Sequence, residues 1–265
     1  MAATDLHHWR RAERAGRRVG HRVEAHASIG STNDRARALL DEPGGDGAAV
    51  VAEEQTQGRG RRGRAWLSVP GRNLAVSVAV RPRIAASEAW QLAAGAGLAA
   101  RTACGADGSV ALKWPNDLVA DDGAKLGGLL VETTIDGDRV SSAVIGLGVN
   151  VNWPRDEMPA EIAEGATSLA SLAGAEVDRS DLLGRYLDAL DVELAAIEVG
   201  RSPLARYRAA CATLGTEVGI ETPGGRVEGR AVEIDEGGAL VVETPAGRLA
   251  VSTGDVVRLR TGAPA

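Results

Sequence analysis

The 265-residue sequence contains almost no lysine and no phenylalanine. Lysine occurs only at Lys113 and Lys125, whereas 28 of the 30 basic residues are arginine, and alanine and glycine are abundant. This composition is typical of a GC-rich coding bias that replaces lysine by arginine wherever arginine can serve. Because a planar guanidinium cannot reproduce the compact charge of an ammonium group, the two remaining lysines are the first candidates for chemistry.

Other absences exclude whole classes of protein. The sequence has no run of about 18 apolar residues, which a transmembrane helix requires, and its basic N-terminal segment lacks the apolar stretch of a secretion signal. The two cysteines, Cys104 and Cys211, are too few for a disulfide framework and lack metal-ligand spacing. The formal charge of −6 argues against a nucleic-acid-binding protein. We therefore expect a cytoplasmic protein that binds neither membrane nor DNA.

The pattern of apolar residues predicts two domains, with the boundary near residue 214. In the first domain, residues 1–214, strands are predicted at 21–27, 48–53, 73–80, 110–114, 125–133 and 140–150. Helices are predicted there at 6–18, 35–40, 85–103, 161–172, 181–197 and 203–213. In residues 215–265, short β-rich runs recur about every 8–12 residues between glycine, proline and acidic turns, which predicts a small closed β-barrel.

The segment from Gly58 to Arg64 consists of three glycines and four arginines. It matches the dinucleotide-binding pattern G-x-G-x-x-G, but the residues after it do not begin a helix and no acidic residue follows about 20 positions on, so that interpretation fails. Arginines on a flexible glycine loop can instead bind phosphate or carboxylate oxygens. A solvated loop or an RNA-binding stretch is the alternative, and the acidic net charge argues against RNA.

The first lysine opens the sequence Lys-Trp-Pro-Asn-Asp, residues 113–117. The residue before a proline is extended, and Pro-Asn-Asp favours a turn, so this segment is predicted to end a strand. Lys113, Asn116 and Asp117 would then be presented at a strand end, where a ligand can bind. An ordinary turn beside a core tryptophan is the alternative.

The second lysine, Lys125, begins a predicted strand that contains the glycine pair Gly127-Gly128. Glycines inside a strand indicate a bulge or a close approach of the backbone to a ligand. A lysine at that position could neutralise charge that develops on a carboxylate or phosphate. A further glycine-rich strand end, from Gly146 to Asn152, is weaker support for a site because glycine is common at strand ends.

Taken together, these segments resemble the biotin–protein ligase family. The resemblance is carried, in the order of the family, by Ser31-Thr32-Asn33, Gly58–Arg64, Lys113–Asp117, Lys125–Gly128 and Gly146–Asn150. It covers about residues 28–152, and the C-terminal domain is also compatible with it. The resemblance implies an α/β (α+β) fold in which helices flank a central mixed β-sheet of a biotin- and ATP-binding catalytic domain, followed by the small C-terminal β-barrel.

The activity implied by the resemblance is that of an ATP-dependent ligase. Biotin and ATP would form biotinyl-5'-AMP with Mg²⁺, and the biotinyl group would pass to a lysine of a biotin carboxyl carrier domain of acyl-CoA or pyruvate-type carboxylases. No covalent enzyme nucleophile is needed, which suits the lack of a cysteine or Ser/His arrangement. The resemblance leaves open whether the protein is a monomer or a homodimer.

The resemblance also assigns roles by position, with Lys125 as the main catalytic residue, assisted by Arg61. The residues expected to bind biotin are Ser31, Thr32, Asn33, Gln55, Gly58, Arg59, Gly60, Arg61, Lys125, Gly127, Gly128 and Gly146. The residues expected to bind ATP or the adenylate are Arg59, Arg61, Arg64, Trp66, Lys113, Asn116, Asp117 and Asn150. Asp117 is the expected magnesium ligand, and Trp66 is expected to stack on adenine, with a merely anchoring role as the alternative.

Two other functions compete with this interpretation. A lipoate or octanoate ligase would share the catalytic fold, but the arginine-rich loop and the Lys113–Asp117 motif favour biotin. A non-catalytic biotin-sensing module is disfavoured because both lysines and all four loop arginines are present. Only about 30 residues precede Ser31, too few for the winged-helix domain that makes some relatives repressors. We therefore expect the catalytic-only class, without DNA binding.

Overall fold

The computed structural model describes residues 6–105 and 108–258. Within them the strands are β1 (Val23–Ile29), β2 (Ala49–Gln55), β3 (Asn73–Val80), β4 (Val110–Lys113), β5 (Asp117–Ala120), β6 (Lys125–Asp136), β7 (Arg139–Asn150), β8 (Glu217–Thr222), β9 (Gly225–Ile234), β10 (Leu240–Thr244), β11 (Gly247–Val251) and β12 (Asp255–Arg258). The helices are α1 (Thr32–Leu39), α2 (Trp90–Cys104), α3 (Ala160–Ala163), α4 (Leu169–Ala173), α5 (Arg179–Glu198) and α6 (Leu204–Ala210). Short 3-10 turns occur at His7–Ala12, Arg61–Gly63, Ala86–Glu88 and Arg155–Glu157.

The first seven strands form one mixed sheet with the order β1-β2-β3-β7-β6-β5-β4. Strands β1 and β2 are parallel, and all other neighbours in the sheet are antiparallel. The expectation of a central mixed sheet flanked by helices is therefore confirmed. The long pair β6 and β7 lies near the middle of this sheet and carries both of the glycine-rich segments.

Both faces of the central sheet are covered, because successive side chains of a strand point to opposite faces. On one face, Ala79 and Val144 pack with Ala36 and Leu39 of α1 in a small apolar cluster. On the other face, even-numbered residues of β3 join the large core that includes α2 and α5. All eight residues of β3 are buried as a result. The residues from 73 to 80 therefore form a strand with the bounds that the apolar pattern predicts.

Two predicted helices differ from the structure. The one predicted at 6–18 is reduced to the 3-10 turn His7–Ala12. The one predicted at 161–172 is divided into α3 and α4, because the intervening residues bond to β6 instead of continuing the helix. Lys125 N donates to Gly165 O at 2.8 Å, and Thr167 N donates to Lys125 O at 2.9 Å. These two hydrogen bonds fix both the N–H and the C=O group of Lys125.

The C-terminal strands form a separate antiparallel sheet with the order β11-β10-β9-β8-β12. The expectation of a closed barrel was wrong, because the edge strands β11 and β12 do not pair within the described residues. Strand spacing indicates that a β-rich domain forms, but it does not indicate whether the two edges of its sheet meet. The sheet is bonded to the rest of the protein: Trp114 Nε1 donates to Gly238 O at 3.1 Å, and Arg208 Nε donates to Ile234 O at 2.7 Å.

Among residues 6–105 and 108–258, no helix combines the length and the apolar character needed to cross a bilayer.

The interior of the protein contains a buried pair of charged side chains, Glu53 and Arg179. The carboxylate of Glu53 on β2, which is 3% exposed, accepts bonds from both terminal nitrogens of Arg179 at 2.9 and 3.0 Å, from Trp9 Nε1 and from Gly71 N. Burial alone would raise the pKa of Glu53, but these donors, Arg179 first, hold it below its ordinary value.

We predict that Arg179→Ala lowers the free energy of unfolding by about 3–5 kcal/mol, because it leaves the Glu53 carboxylate buried without its counter-charge. Urea denaturation measures this loss. The matched control is Arg248→Ala, since Arg248 pairs with Glu243 at 3.7 Å on the exposed surface; its cost should stay below about 1 kcal/mol. Equal costs for the two variants would contradict the prediction.

Candidate functional site

A cavity lies on the central sheet between α1, the middle of β6 and β7, and the segment Gly58–Arg64, which we call the arginine loop. Its volume is about 730 Å³ when the open space at its mouth is included. The expected site residues that line it are Ser31, Thr32, Asn33, Gln55, Arg59, Gly60, Arg61, Arg64, Trp66, Asn116, Lys125, Gly128 and Gly146. It is further lined by Ala65, Val76, Ser77, Leu129, Leu130, Leu147 and Gly148.

The side chains that line the buried end of the cavity are neutral and hydrogen-bonded to one another. Gln55 Oε1 accepts from the Thr32 backbone N at 2.8 Å and from its hydroxyl at 2.9 Å. Ser77 Oγ lies 2.7 Å from Thr32 Oγ1 and 2.6 Å from Asn33 Oδ1. Asn33 Nδ2 donates to Glu132 Oε2 at 2.6 Å, which orients the amide. These bonds satisfy polar groups that would otherwise be costly to bury, so the network is rigid.

Ser77 is a functional candidate that the sequence analysis missed. It is fully buried in the apolar strand β3, where its hydroxyl contacts two of the expected biotin-binding residues, Thr32 and Asn33. The signal that could have revealed it is a single hydroxyl in the otherwise apolar run from residue 74 to residue 80. A buried polar residue is more informative than an exposed one because its position requires partners.

The floor of the cavity is apolar and depends on glycine. A Cβ on Gly148 would come within 2.4 Å of the Trp66 ring, so the indole packs directly on the backbone of β7. A Cβ on Gly146 would approach Asn33 Oδ1 to 2.3 Å. A side chain at either position would displace Trp66 or Asn33, which explains why glycines occupy residues 146 and 148. Trp66 Nε1 is buried and has no hydrogen-bond partner among the described residues.

The arginine loop folds back on itself beside this floor. Gly60 N donates to Arg64 O at 2.7 Å, and Trp66 N donates to Gly58 O at 2.9 Å. Arg62 has a φ of 55°, in the left-handed region. A Cβ on Gly58 would come within 2.4 Å of Trp66 O, so this glycine allows the close return of the chain. Gly58 therefore shapes the loop without lining the cavity.

The four arginines of the loop form ion pairs with two acidic residues, Asp34 and Asp255. Arg59 Nη1 donates to Asp34 Oδ2 at 2.9 Å, and this pairing lowers the pKa of Asp34. The other three arginines surround Asp255 at the start of β12, at distances of 3.8 Å for Arg61, 3.6 Å for Arg62 and 3.0 Å for Arg64. Asp255 carries no sequence signal that links it to the loop.

Arg61 is the most confined of these arginines. Its Nη1 donates to Asn116 Oδ1 at 3.3 Å and to Gly254 O at 3.2 Å. Burial lowers the pKa of its guanidinium; Asp255 opposes the change, and repulsion from Arg62 and Arg64 adds to it. An arginine stays protonated under such conditions. A bound anion would relieve this crowding, so the loop is suited to a phosphate or carboxylate.

Lys125 lies at the mouth of the cavity, where its Nζ contacts Asp117 Oδ1 at 2.8 Å. A Cβ on Gly128 would come within 3.1 Å of Asp117 Oδ1 and 3.5 Å of Lys125 Nζ, so this glycine leaves room for the pair. Asn116 is fixed because its Nδ2 donates to Leu129 O at 2.8 Å. Lysine, amide and arginine groups therefore meet at one end of the cavity. This end can stabilise negative charge.

The remaining expected residues do not line the cavity. Lys113 lies opposite Asp117 in the antiparallel pair of β4 and β5. Its side chain lines a different cavity, together with Thr213 and Val256. Asn150 is buried, accepts from Asn73 Nδ2 at 3.0 Å and donates to Thr167 O at 3.0 Å, which joins strand ends.

Gly127 and Asp117 complete the expected set. Gly127 allows close packing of β6 on β7, where a Cβ would come within 2.4 Å of Gly148 O. Asp117 takes part through its contact with Lys125. In residues 6–105 and 108–258, no group of three or more metal-ligating side chains is present. Asp117 could therefore hold a magnesium ion only together with oxygens of a ligand such as a phosphate.

The sequence matches two families, over separate segments. Residues 26–150 match the biotin/lipoate A/B protein ligase family, and residues 213–259 match the biotin protein ligase C terminal domain. A biotin–[acetyl-CoA-carboxylase] ligase of Mycobacterium tuberculosis is 37% identical over 223 residues, which cover 81% of this chain and 80% of the relative. One from Paracoccus denitrificans is 35% identical over 240 residues, covering 87% of this chain and 98% of the relative.

Solved structures agree with the sequence matches. The biotin protein ligase of Aquifex aeolicus, in complex with biotin and ATP, has a TM-score of 0.74 and 28% identity, covering 89% of this chain and 97% of that one. The ligase of Leishmania major, in complex with biotinyl-5-AMP, has a TM-score of 0.61 and 28% identity, covering 88% and 99%. Since relatives are matched over most of their length in both sequence and fold, the chain belongs to the biotin–protein ligase family and is a ligase enzyme.

Proposed function

We propose that this protein is an ATP-dependent biotin–protein ligase. It activates biotin as biotinyl-5'-AMP and transfers the biotinyl group to a lysine of a biotin carboxyl carrier domain of a biotin-dependent carboxylase. The observation that carries the proposal is a single cavity that joins a neutral hydrogen-bonded end to a cationic end. Biotin, a neutral ring system with a carboxylate at the end of an alkyl chain, has the same division.

The neutral end suits the ureido ring of biotin. That ring needs both donors and acceptors, and the network of Thr32, Gln55 and Ser77 contains both. No charged group is needed there, and a buried unpaired charge would be costly. The apolar side chains of Leu129 and Leu147 supply contact area for the thioether ring and the alkyl chain, and the indole of Trp66 lines the same cavity. This arrangement directs the biotin carboxylate toward Lys125.

The cationic end suits the first reaction step. An oxygen of the biotin carboxylate attacks the α-phosphorus of ATP, and the bond to the bridging oxygen breaks so that pyrophosphate leaves with the electron pair. Two anions must approach each other, so positioning and charge neutralisation are the main tasks. We assign Lys125 to the carboxylate and the α-phosphate, and Arg61 and Arg64 to the phosphate oxygens. Arg59 lines the same cavity, where its guanidinium pairs with Asp34.

Magnesium would enter with ATP. Mg²⁺ is usually held by one or two protein carboxylates together with substrate phosphates. Asp117 and the Oδ1 atom of Asn116 provide oxygen ligands of this kind beside Lys125. They would hold a metal ion that neutralises phosphate charge. Residues 1–214 would then bind biotin and ATP, and residues 215–265 would contribute a second domain.

In the second step, the carrier lysine attacks the acyl carbon of the mixed anhydride. AMP leaves with the electron pair of the C–O bond, and the amine loses a proton to form the amide. Lys125 is 40% exposed at the cavity mouth, and we assign it to neutralise the charge on the leaving phosphate. The open mouth gives the acceptor lysine access to the anhydride. The acetyl-CoA-carboxylase named for two relatives supports a carboxylase carrier as acceptor.

The function is tested by exchange of labelled pyrophosphate into ATP. We expect exchange that depends on biotin, because the neutral network matches a ureido ring and the first step is reversible. Lipoate, which lacks that ring, should support little exchange. Exchange with lipoate but not with biotin would favour the lipoate ligase alternative, and no exchange with either acid would favour a non-catalytic module.

Lys125→Ala should lower biotin-dependent pyrophosphate exchange about 10²–10³-fold, because a cation at the reacting phosphate is lost. Folding should be unchanged, since the links of Lys125 to Gly165 and Thr167 use its backbone. Lys125→Arg should recover little activity because the guanidinium is larger and planar. Lys113→Ala, which changes the other lysine, should cost less than about tenfold. The assignment is wrong if Lys125→Ala retains full exchange at an unchanged melting temperature.

Ser77→Val should raise the KM for biotin about tenfold and leave the KM for ATP nearly unchanged, because it removes one hydroxyl from the neutral network. Steady-state kinetics with each substrate varied separately gives both values. Ser141→Val is the matched control, since Ser141 bonds to Thr134 O on the exposed part of β7. A rise in the KM for ATP equal to that for biotin would contradict the placement of biotin.

A further inference from the structure

The contact between the arginine loop and Asp255 is not explained by the reaction. Asp255 belongs to the C-terminal sheet, yet its carboxylate lies within 4 Å of Arg61, Arg62 and Arg64. Of these, Arg61 and Arg64 line the cavity and are the arginines assigned to phosphate oxygens. A carboxylate and a phosphate offer the same kind of oxygens to a guanidinium. The two anions are therefore alternative partners of the same side chains.

Asp255 is held more firmly than its partners. Its backbone lies opposite that of Glu221 in the antiparallel pair of β12 and β8. The preceding Gly254 is tightly packed, since a Cβ there would come within 2.4 Å of Ile220 Cγ2. The arginines, in contrast, lie on a loop whose Arg64 side chain is 60% exposed. An exchange of partners would therefore move the arginines and leave the carboxylate in place.

We infer that Asp255 competes with the phosphate groups of the nucleotide for the arginine loop. This inference rests on the proposed function, because it identifies the competing ligand as ATP or its products. The competition weakens the binding of nucleotide and of pyrophosphate, and it gives the C-terminal sheet a direct part in their release. Asp255 is thus a residue that sets affinity, acting through Arg61 and Arg64, and it takes no part in bond making.

The balance of charges indicates that Asp255 competes with a bound phosphate and does not aid its binding by ordering the loop. Three guanidiniums share one carboxylate, while Arg59 is already paired with Asp34. Removal of the Asp255 charge leaves all three available to an entering anion. Arg61 Nη1 would still donate to Asn116 Oδ1 and to Gly254 O, so the loop keeps two of its anchors. The gain in attraction for a phosphate should therefore exceed the loss of order in the loop.

The test is direct binding of inorganic pyrophosphate and of AMP to the full chain by isothermal titration calorimetry, without biotin. Asp255→Asn keeps the size of the side chain and removes the charge, so both ligands should bind about three- to tenfold more tightly, as expected from the loss of a few partly exposed ion pairs. Asp255→Ser should give the same change. Asp255→Glu, which restores the charge, should bind as the wild type does.

The matched control is Glu221→Gln. Glu221 is the cross-strand neighbour of Asp255, and it pairs with Arg226 away from the loop. This variant removes the same charge from the same sheet, and its affinity should stay within about twofold of the wild type. Unchanged or weaker pyrophosphate binding in Asp255→Asn and Asp255→Ser would overturn the inference, as would equal tightening in Glu221→Gln.

The activity of the variants separates this inference from the proposed function. In Asp255→Asn, inhibition of the ligation reaction by its product pyrophosphate should be stronger by the factor seen in binding. If the wild type shows no biotin-dependent exchange but Asp255→Asn still binds pyrophosphate more tightly, the proposed function fails and the competition for the arginine loop stands. If exchange is normal and binding is unchanged, the competition fails alone.

Discussion

The packing of the Trp66 indole on the bare backbone of Gly148 is the contact on which the site depends. A side chain at residue 148 would collide with the ring, since even a Cβ would come within 2.4 Å. The arginine loop ends two residues before Trp66 and folds back through the bond from Gly60 N to Arg64 O. The indole therefore fixes a strongly charged loop beside the central sheet. The position of the cationic end, and its contact with Asp255, follow from that anchor.

The central cavity separates neutral from charged groups according to their exposure to water. Thr32 and Ser77 are at most 3% exposed, and their hydroxyls are hydrogen-bonded within the protein. Lys125 is 40% exposed and keeps its ammonium partly hydrated. Burying a neutral network costs little when every group has a partner, whereas a buried ammonium needs both a counter-charge and water. The same division of the cavity fixes the orientation of a substrate that is neutral at one end and anionic at the other.

Much of the fold and part of the site could be predicted from the sequence. Strand β3 has the predicted bounds because its eight residues are buried on both faces, which a continuous apolar run reveals. Lys125, Arg61 and Asn116 do meet in one cavity, as the motifs suggest. The helix predicted at 161–172 failed because its middle residues bond to Lys125 on a distant strand. The closed barrel failed because local spacing carries no information about the edges of a sheet.

The sequence by itself determined the chemical groups that this protein can use: two lysines, a loop of four arginines, and glycines where a side chain could not fit. Only the tertiary structure decided which of these groups share a cavity. Lys113 and Lys125 lie on the two strands that flank β5, yet of the two only Lys125 lines the cavity, because strand pairing sets the direction of each side chain. Asp255 joins the arginine loop from a separate sheet. Such contacts depend on how distant elements pack, and no local pattern of residues encodes that.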